Sequence, residues 1–228
     1  MKTLVILHGW KSSPEKWVAV KGEIAKAGIK VIIPDLPGFK NPLSKPWNLD
    51  DYALWFHSFV ASQNISQFYL LGHSFGGRMA IKIASKNPQN IQAVILVSSA
   101  GIKRVIGFWK KIVMRIAKGF RILNRFSLLR RFFYKFIVRQ TDYVNTSGHL
   151  TETFKNIINE DLEPRLKEIK LPVCLVWGKA DKITPLSDAH IMKEKIANSQ
   201  LFEMDGIGHA PYLENPKALA RLILDFIC

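Results

Sequence analysis

Phe68-Tyr69-Leu70-Leu71-Gly72-His73-Ser74-Phe75-Gly76-Gly77-Arg78-Met79-Ala80-Ile81-Lys82-Ile83-Ala84 is the stretch on which the fold turns. Phe68 to Leu71 is a short apolar run that reads as a buried strand, and Met79, Ala80, Ile83 and Ala84 recur at helical spacing in a helix that ends before Pro88. Between them lies a Gly-x-Ser-x-Gly pattern, Gly72 to Gly76. A serine on so tight a strand-to-helix turn adopts a strained backbone, so the positions flanking it must be small. The helix that follows aims its first amides at negative charge forming beside the serine. Ser74 is therefore the candidate nucleophile.

Working outward, five further apolar runs read as strands: Leu4 to Leu7, Lys30 to Ile33, Ala93 to Val97, Val173 to Trp177 and Leu201 to Met204. Unbroken apolar character, rather than alternation, is the pattern of parallel strands covered on both faces. Ser13-Pro14 starts a helix carrying Trp17, Val20, Ile24 and Ala27; Tyr52, Trp55, Phe56, Phe59 and Val60 mark another, behind the acids Asp50 and Asp51; Asn215-Pro216 opens the last, with Leu219, Leu222, Ile223 and Phe226. Alternating strand and helix predicts an α/β protein with a doubly wound, mostly parallel sheet of about six strands. After the fourth strand the alternation stops. Residues 101–160 read as helices with apolar and basic faces, a helical cap inserted between core segments 1–100 and 161–228.

A serine hydroxyl needs a base, and the base an orienting acid. His209, in Gly206-Ile207-Gly208-His209-Ala210-Pro211, lies in a loop between the last strand and the last helix. Asp181, in Gly178-Lys179-Ala180-Asp181, follows the fifth strand. Ser74, Asp181 and His209 all fall at carboxyl ends of strands, where open α/β sheets place their sites. His8 and His73 belong to loop motifs with structural or site-lining roles, His57 and His190 to helical patterns, and His149 to the end of the cap. Asp205 is too near His209 in sequence to be its usual partner and serves to shape that loop, while Asp35 follows a different strand. No His, Asp or Cys cluster has metal-ligand spacing and no dinucleotide or phosphate-binding glycine motif occurs, so neither metal nor cofactor is expected.

These features together resemble the α/β-hydrolase superfamily, in the branch with a helical cap, and the chain order Ser, Asp, His is that family's. The resemblance runs from His8 to the C-terminal helix and leaves only the cap without a signature. It implies that His8-Gly9-Trp10 is an oxyanion loop, so that the backbone amides of Trp10 and Phe75 bind the oxyanion. It also implies that Pro34-Asp35-Leu36-Pro37-Gly38-Phe39 is the family's loop after the second strand and that Asp35 is structural. Many members carry extra N-terminal strands that are not expected here. A serine nucleophile excludes the aspartate-based chemistries, dehalogenation and epoxide hydrolysis. Cleavage of carboxylic esters through an acyl-serine is the expectation, with lactone, thioester or carbon–carbon hydrolysis on the same triad as alternatives. A hydrolase-fold receptor or binding module with little turnover is the alternative of another class.

Charge singles out the cap. The chain of 228 residues carries 33 Lys and Arg against 18 Asp and Glu, net +15. Residues 101–150 hold twelve of those bases and one acid, Asp142, leaving the remaining chain close to neutral. A basic amphipathic segment fits an anionic membrane surface or an acidic partner. His8-Gly9-Trp10 and Asp35 to Phe39 also resemble pimeloyl-acyl-carrier-protein methyl ester esterases, which implies an acidic carrier protein as partner. Nucleic acid is disfavoured, because the cap aromatics belong to its apolar faces. Trp109, Phe120, Phe126, Phe132, Phe133 and Phe136 would wall an acyl pocket together with Trp10 and His73. Two cysteines, Cys174 in an apolar strand and Cys228 at the end, suggest no disulfide framework. Met1-Lys2 is followed by only five residues before His8-Gly9, so no signal peptide is expected. With no apolar run of about 18 residues, no spanning helix is expected either. The expected location is cytoplasmic, with the basic cap allowing a position peripheral to the membrane.

Overall fold

The computed structural model describes residues 1–103 and 148–228. Six strands form one sheet: β1 (Thr3–Leu7), β2 (Lys30–Ile32), β3 (Phe68–His73), β4 (Ile91–Val97), β5 (Val173–Gly178) and β6 (Ser199–Met204). Their order across the sheet is β2-β1-β3-β4-β5-β6, and every pairing is parallel. The helices are α1 (Val18–Lys26), α2 (Leu49–Ser62), α3 (Phe75–Ala84), α4 (His149–Asn159), α5 (Glu163–Leu166), α6 (Leu186–Lys195), α7 (Pro211–Glu214) and α8 (Pro216–Ile227), and a 3₁₀ turn over Pro14–Trp17 leads into α1.

Side-chain alternation along the strands divides the interior into two layers. Val5, Leu7, Leu70, Leu96, Leu175 and Trp177 face one way, onto Phe56, Met79, Ile83 and Met192. Leu4, Ile6, Leu71, Ile95, Val97 and Val176 face the other, onto Trp17, Val20, Ile24, Leu219 and Ile223. Both faces being covered, β1 and β5 are buried along their whole length, which is why their sequences are continuous apolar runs. Cys174 is one of these buried side chains.

Helix starts follow local chemistry. Asn48 caps α2, accepting from the amides of Asp50 and Asp51, while the Asp51 carboxylate accepts from the Asn48 amide. Asp50 and Asp51 thus lie within the first turn of the helix, where its dipole favours them, rather than ahead of it. α3 begins at Phe75, four residues before the apolar periodicity becomes visible, because Ser74 itself occupies the cap position. α6 has a weak sequence signature because it buries only Asp188, Ala189 and Met192.

The direction of winding reverses between β1 and β3: β2 lies on one side of β1, and β3 to β6 extend from the other. The crevice above the carboxyl ends of these two strands is where a doubly wound sheet accepts a ligand. The chain segments that leave those ends are His8-Gly9-Trp10 and Ser74-Phe75. The far end of the inserted segment returns through α4, which buries Thr153, Phe154 and Ile157. Trp109, Phe120, Phe126, Phe132, Phe133 and Phe136 lie outside the described residues.

Packing of α2 on the sheet sets up a stability contrast. Phe56→Ala, at a fully buried position, is expected to lower unfolding free energy by about 3–5 kcal/mol. Leu54→Ala, two residues away and 68% exposed, is expected to change it by less than about 0.5 kcal/mol. Urea unfolding of the two variants checks which face of α2 is buried.

Candidate active site

Ser74 sits on the turn from β3 to α3 with φ 52° and ψ −111°, a left-handed conformation rarely adopted by a side-chain-bearing residue. Neighbouring backbone enforces the turn. A Cβ on Gly76 would lie 2.0 Å from the Leu7 carbonyl oxygen, and one on Gly72 would lie 2.4 Å from the Gly76 carbonyl oxygen. Only glycine lets the turn pack this tightly onto β1.

His209 reaches Ser74 from the loop after β6. The Ser74 hydroxyl is 3.1 Å from His209 Nε2 and donates to it, and His209 Nδ1–H donates to Asp181 Oδ2 at 2.8 Å. The Asp181 side chain has no solvent exposure, whereas His209 keeps 18% of its own. Backbone bonds join the two loops: Lys179 and Ala180 donate to the carbonyls of Met204 and Ile207. Asp205 and Asp35 stand apart from this arrangement, paired with Lys179 at 2.8 Å and Lys40 at 3.2 Å.

Burial pushes the Asp181 carboxyl up, but its hydrogen bonds prevail and hold it below the usual carboxylate value. His209 and the Thr184 hydroxyl bond Oδ2, and the amides of Ile183 and Thr184 donate to Oδ1 at 2.8 and 3.0 Å. Thr184 was not apparent as a site residue in the sequence. Its Oγ lies 2.8 Å from Asp181 Oδ2, 3.1 Å from the Ser98 carbonyl and 3.2 Å from His209 Nδ1, so it braces both acid and base. Asp181-Lys182-Ile183-Thr184 has the spacing of an Asx turn closed by a hydroxyl, the signal that could have revealed it. Glu214 was also missed. Its carboxylate accepts from the amides of Gly208 at 2.7 Å and Ala210 at 3.0 Å, gripping the loop on either side of His209.

His73 points into the layer of Trp17 and Tyr212, 3% exposed, with its ring 4.9 Å from that of Tyr212. Its Nε2–H donates to the His209 carbonyl at 2.8 Å, so it supports the base loop from beneath. Burial, followed by the nearby His209, pulls the His73 pKa down to about 3. His8 Nδ1–H donates to the Gly9 carbonyl at 2.9 Å, and burial pulls its pKa down too.

Phe75 is the first residue of α3, and a first-turn amide has no carbonyl partner within its helix. Gly9 packs against the elbow: a Cβ there would lie 3.5 Å from Ser74 Cβ. Trp10, the next residue, therefore leaves β1 alongside the nucleophile. Its ring meets Phe75 edge-on at 5.2 Å, Phe39 edge-on at 4.9 Å and Phe154 of α4 at 5.0 Å. These rings form an apolar wall beside Ser74, and Phe39 and Phe154 are members that the sequence did not single out.

An activated serine on a doubly wound sheet is the chemistry this geometry suits, and comparison with known proteins leads to the same class. A family model described as alpha/beta hydrolase fold matches residues 2–143, and a second, described as TAP-like protein, matches residues 156–228. The chain belongs to the alpha/beta hydrolase fold family. Lipase 3 of Moraxella sp. (strain TA144) is 26% identical, over 96% of this chain and 75% of its own. Pimeloyl-[acyl-carrier protein] methyl ester esterase of Aeromonas salmonicida (strain A449) is 24% identical, over 98% and 94%. The crystal structure of MGS-MChE2, an alpha/beta hydrolase enzyme from the metagenome of sediments from the lagoon of Mar Chica, Morocco, superposes with a TM-score of 0.75 at 25% identity, over 98% of this chain and 89% of that one.

The buried histidines make stability pH-dependent. Unfolded, His73 takes up a proton near its ordinary 6.5; folded, it does so only near 3. Between those values the unfolded chain binds the extra proton, so stability is full above about pH 6.5 and falls as pH drops toward 3. Asp181, held low, adds a loss only below its ordinary 3.8. The melting temperature is therefore expected to fall between pH 7 and 4.5, and His73→Gln, which cannot titrate, to show a smaller fall in thermal denaturation at the two pH values.

Proposed function

We propose that this chain is a serine hydrolase that cleaves carboxylic esters through an acyl-enzyme on Ser74, with His209 as general base and acid and Asp181 as its orienting acid. The observation that carries the reading is the continuous pair of hydrogen bonds from Ser74 Oγ through His209 to the buried Asp181. As Ser74 attacks the ester carbonyl, His209 Nε2 takes its proton, and Asp181 stabilises the imidazolium. Charge moves to the carbonyl oxygen, toward which the amides of Trp10 and Phe75 would donate. Collapse of the tetrahedral species breaks the bond to the alcohol, which leaves with the proton from His209. Water, deprotonated by the same nitrogen, then releases the carboxylic acid and returns the proton to Ser74. The names of the lipase and methyl ester esterase relatives support an ester as the substrate class.

Residues 101–160 serve in this reading as a cap over the acyl site, with Trp10 and the cap aromatics Trp109, Phe132, Phe133 and Phe136 as its walls. His73, turned into the opposite layer, acts from behind the base loop. Net +11 within residues 101–150 favours an anionic partner at the cap, an acidic acyl-carrier protein or an anionic membrane surface. Among the described residues no helix is long and apolar enough to cross a membrane.

A panel of p-nitrophenyl esters should be hydrolysed with a chain-length optimum, and Ser74→Ala should fold normally yet lose roughly 10⁴–10⁶-fold in kcat. Turnover confined to thioesters, lactones or carbon–carbon substrates would move the reading to another reaction of the same triad. Inactivity on the whole panel would point to a receptor. For the cap, KM for an ester carried on an acidic carrier protein should rise steeply between low and physiological salt, while KM for a neutral p-nitrophenyl ester stays level. Equal salt dependence for both would remove the anionic partner.

A further inference from the structure

Two cations lie where an apolar helix would ordinarily exclude them. All ten residues of α3 are buried, Arg78 and Lys82 among them at 6% and 3% exposure. Four residues apart, they share one face of the nucleophile's helix. Burying a cation is costly unless it is paired and hydrogen-bonded, so their partners show what the charges are for.

Those partners belong to the return of the inserted segment. The Arg78 guanidinium donates to the carbonyl of Ile157 at 2.6 Å and to that of Glu160. These are carbonyls of the C-terminal end of α4, which lack intrahelical partners and favour a positive charge. Lys82 joins the same point to the core, with Nζ 2.7 Å from Glu160 Oε1 and 2.9 Å from Asp50 Oδ2 in the first turn of α2. The entry to the inserted segment is tied at the same place: the Leu162 amide donates to the Gly101 carbonyl and Lys103 to that of Asn159, while the Ala100 amide donates to the Ser74 carbonyl. Midway along α4 are Thr153, which accepts from the Trp47 amide at 2.8 Å, and Phe154, whose ring lies tilted against that of Trp10 at 5.0 Å.

We infer that Arg78, seconded by Lys82 and Glu160, is a positioning residue for acyl-chain recognition: it fixes α4 to the nucleophile's helix and so sets where Phe154 stands over Trp10. One helix, held at its C-terminal end by the elbow helix, delivers an aromatic ring to the oxyanion loop beside Ser74. The placement of that wall matters for a long acyl chain lying along it and little for a two-carbon acyl group that does not reach it. Arg78 touches neither substrate nor Ser74 in this scheme and acts through α4.

This inference rests on the ester-hydrolase reading, and wild-type, Ser74-dependent cleavage of p-nitrophenyl acetate tests that reading separately. The measured quantity here is the octanoate-to-acetate ratio of kcat/KM for p-nitrophenyl esters. Arg78→Lys keeps the charge but ends one bond short of Arg78 Nη2, the nitrogen that donates to both carbonyls. It should lower the ratio by about tenfold, mainly through a higher KM for octanoate, in keeping with the sensitivity of rate to small displacements of a binding wall. Glu160→Gln, at a partly exposed side chain, should lower it by about threefold, a smaller effect because its backbone carbonyl still accepts from Arg78. Phe154→Ala should lower it as well, and adding Arg78→Lys to Phe154→Ala should lower it no further, since both act through one ring. Should Arg78→Lys not fold, Glu160→Gln and its combination with Phe154→Ala decide. A folded variant whose octanoate and acetate rates fall in parallel, an unchanged ratio, or ratio losses that multiply in the double variant would overturn the inference.

Discussion

The close approach of the Ser74 turn to β1 is the constraint on which the rest of the site depends. Gly76 lies against the Leu7 carbonyl with no room for a Cβ. That contact presses the start of α3 onto the end of β1, and it brings the Gly9-Trp10 loop beside the nucleophile. The strained φ of Ser74 is a consequence of the same packing, held in place because strands on both sides are buried and paired. Strain of this kind persists only where the surroundings over-determine the conformation. Here they do so with backbone, which a side-chain substitution elsewhere cannot easily relax.

Around that turn the polar groups are arranged by what each one's burial demands. Asp181 has both oxygens engaged, so a fully buried carboxylate remains ionised and able to hold His209. His73 is buried deeply enough to remain neutral, and a neutral ring can lie beneath His209 without placing a second positive charge near the base. Arg78 and Lys82 are charged and buried, and they are compensated by carbonyls and carboxylates from α2 and α4. The interior thus separates a neutral support for the His209 loop from a charged support for the end of α4.

Much of this was legible in the chain. The inner strands were visible as nearly continuous apolar runs because a sheet covered on both faces leaves no polar side to interrupt them, while the edge strands β2 and β6, partly exposed, showed only as short apolar stretches. Ser74, Asp181 and His209 could be singled out as candidates because each lies in the loop that follows a strand and has the residue type a triad requires, and the structure joins their side chains by hydrogen bonds. Thr184 and Glu214 were not named, since a hydroxyl or carboxylate near a loop has many uses and only the folded loop shows which atom it meets. Phe39 and Phe154 were missed for a related reason: one ring comes from the loop after β2 and the other from α4, and apolar periodicity records that a side chain is buried but not which partner it finds. His73 shared a motif with Ser74 and read as a structural or site-lining group; alternation along β3 puts it on the face of Leu71, against Trp17 and Tyr212, while Phe75, beyond the turn and already in α3, joins the layer of Leu70.

The sequence alone determined the class of chemistry, because a glycine-flanked serine, a post-strand aspartate and a glycine-loop histidine occur at spacings that only a strand-to-helix architecture explains. It also located the charge, concentrated in residues 101–150 of a chain otherwise close to neutral. Tertiary structure decided how the parts bear on one another: that the sheet reverses direction between β1 and β3, that Thr184 braces both acid and base, and that two buried cations of the elbow helix receive the end of α4. Spacing along a chain encodes local geometry and burial, whereas these contacts join residues as many as 82 positions apart and exist only once the sheet has brought its loops together.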